Sequence, residues 1–278
     1  MTARTWLVTG GGRGIGGALV EQLLEAGERV AATARDPAAL DALAARHGER
    51  LWRAALDMAD GPAIGRVVDA AFAAFGTIDV IVSNAGYALF GAAEEPSEAE
   101  IEAQIAVNLM GSVRLVRAAL PHLRAQGRGR IVQVSSMGAQ ISFPGLGYYH
   151  LTKWGLEGFY GSLAQDVAPL GIGITLVEPG NTRTSFSGAS ATMAAAMPAY
   201  RDTPAGGLRA YLETDPRDQP NDPGKVAAAI IASVEVSPAP YRVVLGDDAY
   251  GLIHAELAGR LDALEAQRAL AGTVLFTA

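Results

Sequence analysis

Short unbroken apolar runs alternate along the chain with longer stretches whose apolar residues recur at helical spacing. The runs at 6–9, 29–34, 51–56, 78–82, 130–135, 173–177 and 242–245 predict strands. The stretches at 15–26, 37–47, 61–75, 97–126, 149–168, 223–234 and 248–271 predict helices. Strands that do not alternate apolar with polar are buried on both faces. That predicts an α/β fold: a doubly wound parallel sheet of about seven strands between two helical layers. Start signals agree: Asp36-Pro37 and Asp222-Pro223 each place a capping side chain before a proline, and Ser97 with Glu100 has capping-box spacing.

One segment breaks the rhythm. From about 185 to 222 the chain is rich in Ser, Gly, Ala, Met and Pro without a convincing strand. An excursion of that length is a lid, a binding loop or a disordered segment. With no internal repeat, the expectation is one domain over 1–278, carrying that excursion and a helical tail from about 248 to 278.

Composition narrows the function. Half of the 278 residues are hydrophobic and 18% are charged, enough apolar material for a large core. A net charge of −7 argues against a nucleic-acid binder, which needs a basic face. With no cysteine there is no disulfide, thiolate site or Cys nucleophile. The four histidines show no metal-ligand spacing, so no metal is expected, and His122 and His150 read as residues of helix surfaces or ends. No apolar run approaches the ~20 residues that span a bilayer. The chain starts without a leader-like region, so the expected location is the cytoplasm.

The first strand runs into Thr9-Gly10-Gly11-Gly12-Arg13-Gly14-Ile15-Gly16, and a helix follows at once. Glycines there allow a tight turn and close approach to a pyrophosphate, and the helix N-terminus adds amide donors and positive dipole. Between a first strand and first helix, this pattern predicts a dinucleotide site. Arg35, beyond Ala34 at the end of the second strand, stands with Arg13 where a 2′-phosphate would be met, favouring NADP(H) over NAD(H). The competing reading gives Asp36 the ribose contact, against its role as a helix cap. Further polar groups follow other strand ends: Asp57-Met58, Asn84-Ala85-Gly86 and Pro179-Gly180.

For chemistry, Tyr149 and Lys153 lie four apart on one helix face. A nearby ammonium favours phenolate and lowers the phenol's pKa, making tyrosine a usable acid or base. Lys153 is one of only two lysines, with Lys225, among 22 Lys and Arg residues. Tyr148 is the rival, but its partner four residues on, Thr152, carries no charge.

These residues together resemble the short-chain dehydrogenase/reductase family over roughly 5–184. The glycines at Gly10, Gly14 and Gly16, the Asn84-Ala85-Gly86 turn, Asn108, Ser136, Tyr149-x-x-x-Lys153 and Pro179-Gly180 stand in family order. The resemblance implies a Rossmann-type sheet and hydride transfer between nicotinamide and a carbonyl or secondary alcohol. Tyr149 would then pass the proton, and Ser136, thirteen residues before it, would bind the substrate oxygen in preference to Ser135. Lys153 would hold the nicotinamide ribose and Asn108 would anchor a water-mediated proton path. Asp57 would contact the adenine, and Met58, Asn84, Ala85, Gly86, Pro179, Gly180, Thr182 and Thr184 would line the cofactor. The family's Asn-Asn-Ala-Gly reads Ser83-Asn84-Ala85-Gly86 here, a minor departure because serine still hydrogen-bonds locally.

Phe186, Met193, Met197, Pro198 and Tyr200 in the excursion would either line an apolar pocket, suiting an apolar ketone or alcohol, or pack on the core or a neighbouring subunit. Two alternatives compete with the reductase reading. A catalytically silent dinucleotide-binding regulator would not need the intact Ser136, Tyr149 and Lys153. An NAD-dependent epimerase or dehydratase would bring a larger C-terminal domain and a shorter glycine spacing. The resemblance also implies a homo-oligomer paired through the long helices at 97–126 and 149–168, whose Ala-rich faces, such as Ala118-Ala119, suit close packing, although the C-terminal tail from about 248 could cover surfaces used for assembly.

Overall fold

The computed structural model describes residues 3–184, 191–214, 219–274 and 276. Its central sheet holds seven strands: β1 (Thr5–Thr9), β2 (Arg29–Ala34), β3 (Leu51–Ala55), β4 (Val80–Ser83), β6 (Gly129–Val134), β7 (Ile172–Pro179) and β9 (Arg242–Leu245). All pairings are parallel, in the order β3-β2-β1-β4-β6-β7-β9. The chain builds outward from β1 to β3, then returns to lay β4 against the other side of β1. That reversal opens a crevice beyond the carboxyl ends of β1 and β4.

Because both faces are covered, successive side chains of one strand enter different cores. Leu7, Ile81, Ile131 and Ile174 pack with residues of α3 (Gly61–Phe75), α5 (Ser112–Gln126) and α6 (Gly147–Val167). Trp6, Val8, Val80, Val82 and Val132 face the other way, onto the layer formed by α1 (Gly14–Glu25), α2 (Asp41–His47) and α8 (Pro223–Glu235). Each fully buried Leu, Ile or Val contributes about 1.5–3 kcal/mol, so the buried residues of each strand stabilise both layers.

The caps form as the sequence predicts. Asp36 and Asp222 each accept a backbone N–H of the first turn, and Ser97 with Glu100 makes a complete capping box; Asp60, which was not among the predicted caps, does the same for α3. The helix expected over 97–126 is one rod of three parts: α4 (Glu98–Ile105), a π-turn (Ala106–Gly111) and α5. The π-turn brings Gly111 so close to Met58 that a Cβ there would lie 2.7 Å from its carbonyl oxygen.

The excursion departs from expectation. Its described part holds β8 (Ala191–Met193), which pairs in parallel with β5 (Ala88–Phe90), and α7 (Pro204–Glu213), capped by Thr203. Three residues are too few to show a period, and their partner lies a hundred positions upstream. Phe186 falls outside the described residues. At the C-terminus, α9 (Asp247–Glu265) and α10 (Arg268–Ala271) follow β9. Ala249 and Ile253 of α9 pack on Met137 and Ile141, whereas 254–274 are exposed throughout. Among the described residues no helix is long and apolar enough to cross a membrane.

Candidate active site

The crevice widens into a cavity of about 1000 Å³ running from the glycine turn to the first turn of α6. At one end Gly10 (φ 69°) and Gly14 (φ 58°) adopt left-handed backbone that a side chain would strain. Gly16 sits beneath them, where a Cβ would lie 2.3 Å from the Gly10 carbonyl oxygen and 2.4 Å from Asn84 Nδ2. Asn84 fastens the turn by donating to the carbonyls of Thr9 (2.9 Å) and Gly10 (3.3 Å). Thr9 Oγ1 in turn accepts the backbone N–H groups of Asn84 and Ala85. Thr9 is a support that sequence reading missed; ending the first strand is its only local signal.

Gly10, Gly12, Arg13, Gly14 and Ile15 line this end, and Thr184 lies over Gly14. Arg35, Asp57, Met58, Ala85, Gly86, Pro179, Gly180 and Thr182 complete the wall. Asp36 also lines it, but its carboxylate accepts the Ala38 N–H at 3.0 Å, as a cap does. Gly16 and Asn108 stand behind the wall rather than in it.

At the other end Ser136, Tyr149 and Lys153 converge. Tyr149 is buried and hydrogen-bonds Ser136; burial pushes its phenol up to about 12, against the lowering effect of that bond. Lys153 Nζ lies 5.8 Å from the Tyr149 ring centroid and donates to the Val134 carbonyl at 3.0 Å. Burial brings the ammonium down to about 8, opposed by Glu157. In this geometry desolvation decides the phenol's pKa, and Lys153 does not offset it. Ser135 turns away from the tyrosine and donates to Glu157 at 3.1 Å.

Asn108, carried by the π-turn, is locked on Tyr87. Its Nδ2 donates to the Tyr87 carbonyl at 2.8 Å and its Oδ1 accepts the Tyr87 N–H at 3.1 Å. Ser83 donates to Ser112 in a buried network with Gln133 and Tyr160. His122 lies on α5, stacked on Phe72 and bonded to Asp69. His150, by contrast, is buried against the cavity.

Beyond Tyr149 the wall turns apolar, with Phe90, Phe143, Leu146, Leu208 and Leu212 prominent. The excursion therefore reaches the cavity, but through α7 and β8. Met193, Met197 and Pro198 point to solvent, and Tyr200 bonds Glu94 outside. These residues do not line the pocket that their apolar character predicts; they lie on the outer side of a segment whose inner side comes from α7.

Comparison with known proteins agrees with this geometry. The short chain dehydrogenase family profile matches residues 4–195. The chain is 38% identical over 247 residues to Oxidoreductase BOA17 of Botryotinia fuckeliana, covering 88% of this chain and 90% of that protein. It superposes on the crystal structure of a short-chain dehydrogenase from Streptomyces avermitilis with a TM-score of 0.91, at 37% identity and 99% coverage of both chains. A metagenomic short-chain oxidoreductase solved in complex with NADP gives a TM-score of 0.68 at 27% identity, covering 87% of this chain and 96% of that one.

Proposed function

The chain belongs to the short-chain dehydrogenase/reductase family of NAD(P)-dependent oxidoreductases, and from that premise we propose that it is an NADPH-preferring reductase of apolar ketones, with Tyr149 as proton donor. The observation that carries this reading is the buried Tyr149 phenol, hydrogen-bonded to Ser136 and held protonated where the apolar wall begins.

The residues at the far end fit a dinucleotide. A side chain at Gly10, Gly14 or Gly16 would strain or fill the turn, and the N-terminus of α1 faces the space it leaves. Arg13 and Arg35 border that space, while Asp36 is engaged as a cap; this favours a 2′-phosphate over a free ribose hydroxyl. Asp57 and Met58 would border the adenine, and Ile15, Asn84, Ala85, Gly86, Pro179, Gly180, Thr182 and Thr184 the rest of the cofactor. When bound, the nicotinamide supplies the hydride.

The chain's own residues do the rest. Ser136 Oγ hydrogen-bonds the substrate oxygen and fixes its place against Tyr149. The Tyr149 phenol gives its proton to that oxygen. Lys153, whose Nζ donates to the Val134 carbonyl at 3.0 Å, would hold the nicotinamide ribose. Asn108, tied to Tyr87, anchors the path by which the proton is replaced. Among the described residues the wall around Phe90, Phe143 and Leu208 has no charged side chain beyond Lys153, which suits a neutral apolar substrate. A homo-oligomer is also part of the reading, supported by the exposed stripe of Leu257, Leu261 and Leu264 on α9.

Titration with NADPH and NADH, followed by cofactor fluorescence, tests the assignment. A charge-assisted phosphate contact is worth about 1.5–3 kcal/mol, so Arg35→Ala should weaken NADPH roughly 10- to 100-fold and leave NADH nearly unchanged. Preferential NADH binding indifferent to Arg35 would overturn the cofactor assignment. Lipophilic ketones should be reduced by the native chain and not by Tyr149→Phe; turnover of small polar carbonyls alone would sink the apolar-substrate reading.

A further inference from the structure

His150 is a buried imidazole on the cavity wall to which the proton transfer above gives no task. Both of its nitrogens are committed to backbone. Nε2 accepts the Phe143 N–H at 2.8 Å, so it carries no proton. The proton must then sit on Nδ1, which donates to the Gly138 carbonyl at 2.7 Å. A peptide N–H cannot accept and a carbonyl cannot donate, so only one neutral tautomer satisfies both contacts. Burial also holds the imidazole below its ordinary pKa, which keeps it neutral.

The two bonds grip both ends of the segment that follows β6. At its start Gly138 donates its N–H to Ser136 Oγ at 3.0 Å. A Cβ on Gly138 would lie 3.1 Å from the imidazole and 3.2 Å from the Tyr149 ring, so the segment rests on both side chains. At its far end the Phe143 ring lies 5.9 Å from the His150 ring, on the apolar wall. The imidazole thus joins the serine segment, the substrate wall and the tyrosine helix.

We propose that His150 is a positioning residue that, as the neutral Nδ1–H tautomer, clamps the Ser136–Phe143 segment to the tyrosine helix and so sets where the substrate oxygen meets Tyr149. The proposal rests on the reading of this cavity as the active site. A displacement of about 1 Å in such a site can lower rate on the order of 100-fold.

Two measurements test it. Nitrogen-15 NMR of histidine-labelled native protein should show one ring with a protonated Nδ1 and a bare Nε2. A protonated Nε2 at His150, identified by its loss in His150→Phe, would overturn the clamp whether or not a substrate is known. In kinetics with a lipophilic ketone, His150→Phe should lower kcat roughly 10- to 100-fold with NADPH affinity within about twofold of native. His150→Gln, which can restore one bond, should fall between the two and serves if the phenylalanine variant does not fold. Native kcat in either folded variant would overturn the proposal, as would a parallel loss of cofactor affinity, the mark of general misfolding. Failure of the functional reading shows elsewhere: the native chain would bind neither dinucleotide, or Tyr149→Phe would keep its activity.

Discussion

Gly16 and Gly17 are neighbours in the first turn of α1, yet an added methyl group should act on them in opposite directions. At Gly16 the new Cβ would stand 2.3 Å from the Gly10 carbonyl oxygen and 2.4 Å from Asn84 Nδ2, neither of which is the free end of a flexible side chain. Reaching ordinary contact requires a shift of roughly 1 Å in the glycine turn, and overpacking of that kind costs about 1–3 kcal/mol. The better helix propensity of alanine returns only ~0.5–1 kcal/mol. At Gly17 the nearest atom would be the Gly12 carbonyl carbon at 3.5 Å, an ordinary contact, so the propensity gain stands alone. For a chain of this size 1 kcal/mol moves Tm by ~2–4 °C. Gly16→Ala should melt several degrees below native and Gly17→Ala one to a few degrees above, roughly, by differential scanning fluorimetry. Because the displaced turn carries the amides that face the cofactor, NADPH affinity should fall about tenfold or more in Gly16→Ala and hold within about threefold in Gly17→Ala. Equal Tm and equal NADPH affinity in the two variants would refute the steric account of the turn.

Three further outcomes follow from the same geometry. Lys153 is ordinarily protonated up to 10.5 but loses its proton at about 8 when folded, so between those values the unfolded chain binds more protons and stability rises with pH. Lys153→Met should abolish that rise, worth about 3 kcal/mol at most, in urea titrations at pH 7.5 and 10. Ser97→Ala removes the capping box of α4 and should lower stability by about 1 kcal/mol, read as a Tm drop of ~2–4 °C without change in NADPH affinity. Leu257→Asp with Leu261→Asp places charge on the exposed stripe of α9; light scattering should report a smaller particle than native, and an unchanged mass would refute oligomerisation through that helix.

The sheet was legible in the sequence because its inner strands, β1, β2, β4, β6 and β7, are buried on both faces and so read as local apolar runs, while the edge strands β3 and β9 are short but still mostly apolar. β2 and β9 have the predicted bounds, and the others differ by at most two residues at either end. The ribbon of β5 and β8 was not legible, since each strand is three residues long and the stabilising partner is distant in the chain. At the site, spacing put Tyr149 and Lys153 on one helix face but could not say where Nζ would go; it donates to Val134, and burial governs the phenol. His150 was read as a helix-end residue because a lone histidine beside a tyrosine carries no pattern. Its importance lies in two backbone groups, Gly138 and Phe143, whose positions depend on the loop between β6 and α6.

The same two-sided burial explains where chemistry can occur in this chain. Inside the sheet a polar side chain enters one helical layer or the other and is tolerated only where it finds a buried partner, as Ser83 and Gln133 do with Ser112 and Tyr160, so it is not free to meet a ligand. Only past Thr9, Ala34, Ser83, Val134 and Pro179, where the strands end, does backbone emerge from between the helical layers. The glycine turn, Arg35, Asn84, Ser136 and Gly180 all follow those ends within a few residues. Tyr149 and Lys153 come from a helix instead, and they reach the same edge because α6 begins there, tied by His150 to the segment that follows β6. A helix can deliver two side chains four residues apart at one fixed separation, which a strand end followed by a loop cannot. On the proposed reading the division of labour is therefore physical: strand ends would supply backbone and glycine for the cofactor, and the first turns of α6 the rigid pair for the proton.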